Sequence, residues 1–111
     1  MKIFETTDSE GRLVAFEISN YWLGRRAACR IVKSLPGVRM HRESNGHFWE
    51  SEEDFCQFEL GGARFTIWEP WNDSSRYRIH PVEPGPYTEL VLIRDAFARS
   101  TLLGRVLRAA G

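Results

Sequence analysis

The stretch FCQFELGGARFTIW, Phe55 to Trp68, decides the fold. Two runs of period-two alternation flank Gly61-Gly62, a pair suited to the positive backbone angles of a two-residue hairpin turn. Folding the chain about that turn sets Glu59 opposite Arg64 and Gln57 opposite Thr66. Cys56, Phe58, Leu60, Ala63, Phe65 and Ile67 then fall on one face. Register, apolar face and cross-strand charge pair agree, so the segment reads as an antiparallel ribbon with one buried side. Strict alternation leaves Phe55 and Trp68 facing each other on the polar side.

Working outward, residues 2–6 and 12–18 read as strands joined by the turn formers of 7–11. In the second strand the alternation predicts Val14, Phe16 and Ile18 toward the core. Ser19 or Asn20 can cap a helix running to about Leu35. Its apolar side carries Leu23, Ala27, Ala28, Ile31, Val32 and Leu35, and Arg25, Arg26, Arg30 and Lys33 share the other side, with Trp22 near Arg26. Pro36-Gly37 ends it. Residues 38–51 read as a second hairpin around Asn45-Gly46, placing Val38, Met40 and Trp49 on one face. Residues 76–80 read as a short strand with Tyr77 and Ile79 on one face and Arg76, Arg78 and His80 on the other. A proline-rich linker, 81–86, precedes Thr88, which can cap a last helix with Leu90, Ile93 and Phe97 at helical spacing. The β propensity of 89–93 leaves a final strand as the alternative.

These readings give an α+β fold: a single domain over residues 1–111, with an antiparallel sheet of about five or six strands. One helix follows strand two and another is C-terminal, in the order β-β-α-β-β-β-β-β-α, both helices packing on one sheet face. Length fits one domain, and a hydrophobic content of 42% with 27% charged residues is that of a globular chain.

Fifteen basic residues balance fifteen acidic ones. Neutrality argues against a dedicated nucleic-acid binder, which needs phosphate neutralisation, and against anchoring on anionic membranes, and it permits self-association. Thirteen of the fifteen bases are arginine, the pattern a GC-rich bacterial coding sequence produces. The N-terminal residues contain no apolar h-region and no run approaches a membrane-spanning length, so a cytoplasmic location is expected. Cys29 and Cys56, on a helix and a core-facing strand, read as a reduced pair, with a disulfide neither required nor forbidden.

The segment 63–80, ARFTIWEPWNDSSRYRIH, concentrates residue types that anchor interfaces. Phe55, Trp68, Trp71, Arg76 and Arg78 form the candidate binding set: aromatic anchors with arginines for bidentate contacts at the rim. The expected activity is non-enzymatic recognition of a protein partner or of a second copy. The alternative is a small-ligand or acid–base site at Asp73, Arg76 and His80, a carboxylate, a guanidinium and an imidazole close in sequence. Single-stranded nucleic acid stacking on Trp68 and Trp71 is a third reading, weakened by charge neutrality. The hairpin register separates His41 from His47, so they do not make a metal site. No cofactor motif is present, and Gly61-Gly62 is not followed by the helix that a phosphate loop needs. Four acids within residues 50–54 read as a solvated loop.

Overall fold

The computed structural model describes residues 2–19, 23–44, 54–70 and 75–110, with side chains through residue 100. Among the described residues six strands and two helices follow the order β1 (Ile3–Thr7), β2 (Leu13–Ser19), α1 (Arg25–Lys33), β3 (Arg39–Arg42), β4 (Asp54–Leu60), β5 (Ala63–Trp68), β6 (Arg76–Pro81) and α2 (Thr88–Ala110). The strands form one antiparallel sheet in the order β1-β2-β6-β5-β4-β3. This is the α+β architecture expected. The strand expected near residues 47–51 and the turn at Asn45-Gly46 lie outside the described residues, as do Trp22 and His47.

The β4–β5 ribbon adopts the register read from its turn. Leu60 pairs with Ala63, Glu59 with Arg64, Phe58 with Phe65 and Gln57 with Thr66. Gly61 and Gly62 have φ of 61° and 80°, the left-handed geometry that an L side chain resists. The Glu89 carboxylate, in the first turn of α2, lies over Gly61 where a Cβ would stand.

Both helices lie on one side of the sheet, α1 against β4 and α2 against β2, and they touch each other. The core between these layers holds Phe16, Phe55, Phe58, Phe65, Ile67 and Ile79 from the sheet, and Val32, Leu90, Ile93 and Phe97 from the helices, all fully buried. Each such side chain contributes about 1.5–3 kcal/mol of transfer free energy. Residues 88–93 are helical despite their β propensity, because Leu90, Ile93 and Phe97 reach the core only at helical spacing. Arg94 of α2 donates to Glu5 of β1 at 2.6 Å, and that hydrogen bond, with a second to Asp95, holds the guanidinium more firmly protonated than usual.

Four expectations need correction. The first helix begins at Arg25 behind Gly24, which offers no side-chain cap, so Ser19 and Asn20 do not start it; Ser19 remains in β2. Val14 is the extra residue of a bulge, since Thr6 pairs with Ala15 and Thr7 with Leu13, and Leu13 takes its place in the core. Phe55 is the extra residue of a second bulge. Asp54 pairs with Trp68 and Cys56 with Ile67, so Phe55 and Cys56 turn together into the core and both are 0% exposed. The opposition of Phe55 to Trp68 across the polar face is therefore wrong.

Phe55 sits edge-on to Tyr77, centroids 5.0 Å apart, beneath the Arg25 guanidinium at 4.9 Å. Arg25 also donates to Glu69 at 2.9 Å, so it leaves the solvated basic side assigned to it and clamps α1 to the end of β5. The Tyr77 hydroxyl donates to the Leu23 carbonyl at 2.9 Å.

Candidate functional site

The second face of the sheet carries the other described residues of the candidate sites, Trp68, Arg76, Arg78 and His80. Alternation along β6 sends Tyr77, Ile79 and Pro81 into the core and Arg76, Arg78 and His80 to the opposite side. Cross-strand pairing then builds one row over five strands: Phe4, Glu17, Arg78, Trp68 and Asp54. At the usual interstrand spacing this row spans about 19 Å. It runs aromatic, acid, base, aromatic, acid.

Its charges are already organised. Arg76 donates to Glu17 at 3.2 Å, and Arg78 lies 3.7 Å from the same carboxylate. The Arg76 guanidinium also stacks over Phe4, 3.7 Å from the ring centroid. Such pairs add little to stability at a half-exposed surface, about 0–1 kcal/mol each. What they do is restrict the orientations that the two guanidinium groups take on this face.

Beside the row lies His80, paired in register with Thr66. Its ring is edge-on to Trp68, centroids 6.5 Å apart. Nδ1 is buried, and it has no hydrogen-bond partner among the described residues. Burial, reinforced by the Arg78 charge and opposed by Asp54, pulls the imidazole below its ordinary pKa, so it is neutral at physiological pH. Thr66 approaches Asp54 Oδ1 at 3.1 Å and the Cys56 carbonyl at 3.2 Å, and its single hydroxyl proton serves one of them at a time.

Of the expected binding set, Trp68, Arg76 and Arg78 therefore share one face, and Phe55 does not. Trp71 and Asp73 lie outside the described residues. Arg76 and His80 point the same way but stand four residues apart on one strand, about 13 Å between Cα atoms. Phe4 and Glu17 join the site although nothing in their local sequence marks them; only the β1–β2–β6 pairing brings them there. Among the described residues no group of three His, Cys, Asp or Glu side chains is arranged to hold a metal ion, and no helix is long and apolar enough to cross a membrane. Compared with known protein families, curated proteins and solved structures, the chain matches none.

Proposed function

We propose that the protein is a binding module that takes a protein partner, or a second copy of itself, on the sheet face opposite the helices. The observation that carries this reading is the Phe4–Glu17–Arg78–Trp68–Asp54 row, with Arg76 braced between Phe4 and Glu17. Trp68 is its anchor. Arg76 and Arg78 supply planar donors at its rim, and Glu17 and Asp54 supply acceptors. The alternation of signs favours a protein surface over a phosphate backbone, because each carboxylate in the row would repel a polyanion.

The test is a paired capture from source-cell lysate after nuclease treatment, comparing wild type with Trp68→Ala/Arg78→Ala, and sedimentation of both purified proteins. A stoichiometric partner, or a dimer, present in wild type and lost in a variant that still melts cooperatively supports the reading. Identical capture and sedimentation by the two proteins overturns it.

A second reading, a small-ligand site using Asp73, Arg76 and His80, draws support from the neutral His80 imidazole, whose buried Nδ1 has no hydrogen-bond partner among the described residues. The spacing along β6 demands an elongated ligand if Arg76 and His80 both touch it. A ligand from a small-molecule screen whose binding survives His80→Gln would remove that support.

A further inference from the structure

The other side of the sheet holds a feature independent of that face. Cys29 on α1 and Cys56 on β4 are both reduced and buried, and Cys29 is the neighbour that acts most strongly on the Cys56 thiol. The Cys29 sulfur also lies 3.9 Å from the Phe55 carbonyl and accepts the Ser44 N–H at 3.4 Å. The bulge at Phe55 is part of this geometry, because it turns Cys56 and its neighbour together toward α1. Cys29 also lines a cavity of about 390 Å³, whose other walls are Arg26, Arg30, Lys33, Glu43 and Ser44. Cys56 is 0% exposed and does not line it.

We propose that this pair is a peroxide-sensitive dithiol, with Cys29 attacking from the floor of the basic cavity and Cys56 closing a reversible disulfide between α1 and β4. The two sulfurs are not equivalent. Three cations line the cavity around Cys29, with one opposing carboxylate, Glu43, itself paired to Lys33 at 3.1 Å. Net positive charge faces the Cys29 sulfur across the cavity, and the Ser44 N–H donates to it. Cys56 holds its proton more tightly than an ordinary thiol, first because of its hydrogen bond to Cys29 and then because of burial. A donor thiol behind a cavity-facing one is the arrangement of an attacking and a resolving cysteine.

The chemistry balances with a peroxide as oxidant. The Cys29 thiolate attacks one oxygen of hydrogen peroxide, the O–O bond breaks, and the leaving hydroxide takes a proton to become water. Cys29 is then a sulfenic acid. Cys56 loses its proton to the departing hydroxyl of that sulfenic acid and bonds to the Cys29 sulfur, releasing a second water. Two thiols lose two electrons and one peroxide is reduced to two waters. Peroxide suits the access: Cys29 lines the cavity yet is only 2% exposed, so reagents much larger than water are kept from it.

The experiment exposes the folded full chain to hydrogen peroxide, removes the peroxide, denatures the chain in the presence of an alkylating reagent, and measures intact mass and non-reduced peptides. Wild type should lose two hydrogens, yield a Cys29–Cys56 cross-linked peptide, remain unlinked to other chains and revert with dithiothreitol. Cys56→Ala should stop at a dimedone-reactive sulfenic acid on Cys29. Cys29→Ala should be oxidised at least about tenfold more slowly at Cys56. Full alkylation of both thiols after peroxide treatment, oxygen addition without the cross-link, or equal oxidation of Cys29→Ala overturns the proposal. The wild-type mass and peptide map decide it even if a variant fails to fold.

Discussion

Phe55 and Trp68 stand at the same end of one hairpin, and a single inserted residue sends them to opposite sides of the sheet. At the turn end of that hairpin the pairing is regular from Gln57–Thr66 to Leu60–Ala63, and apolar residues alternate cleanly inward. At the far end the bulge adds Phe55 to the inward set and leaves Trp68 outside, paired with Asp54. The difference separates two jobs. The side packed by α1 and α2 holds the fold together by burial. The other side is a partly exposed row of aromatics and paired charges, whose ion pairs contribute little to stability.

The sharpest way to break this comparison is to truncate its two members. Phe55→Ala should destabilise by about 3–5 kcal/mol, through lost transfer free energy and a cavity beneath Arg25 and Tyr77. Trp68→Ala should cost less than half as much. Urea unfolding of both variants checks this, and equal losses would mean that the two faces do not divide the work. Gly61→Ala should come next, at about 2 kcal/mol, because the left-handed backbone is strained by a Cβ and Glu89 must also move. Gly62→Ala meets open space and should show the backbone strain alone, so the difference between the two melting temperatures reports the Glu89 contact.

Smaller effects sharpen the reading of the charged face. Glu17→Gln should lower stability by no more than about 1 kcal/mol, and the loss should shrink in high salt because Glu17, Arg76 and Arg78 are partly solvated. The last prediction concerns pH. His80 has a lower pKa folded than unfolded, so its contribution is complete above the ordinary value of 6.5 and is lost as pH falls through the folded value. His80→Gln should therefore reduce the stability lost between about pH 7.5 and about pH 5.5, measured by urea titration at each pH.

The sequence made some features legible and hid others for physical reasons. Gly61-Gly62 and the Glu59–Arg64 pair announce the hairpin because turn chemistry and period-two patterning are local. The buried side of α1 and the helical spacing of Leu90, Ile93 and Phe97 are legible in the same way. The bulges at Val14 and Phe55 are not, since an inserted residue looks like any other strand residue until its partner strand is known. That is why the local pattern assigned Val14 to the core and Phe55 to the surface. Arg76, Arg78 and Trp68 were recognisable by type, but Phe4 and Glu17 enter the site only through pairings between distant segments. The thiol pair is hidden for a related reason: alternation turns Cys56 toward the core, but Cys29 lies outside the apolar side read for α1, so no local pattern brings the two together.

The place of β6 between β2 and β5 bears on how the chain is made. Phe16 pairs with Ile79, 63 positions later. A ribosome working at its usual pace needs roughly 3 to 13 seconds to synthesise that interval. Once the first hairpin leaves the ribosome, the inner edge of β2 stays unpaired, with Phe16 and Ile18 uncovered, until β6 follows it out. The growing chain is then the aggregation-prone form, and synthesis of β6 is the event that closes its edge.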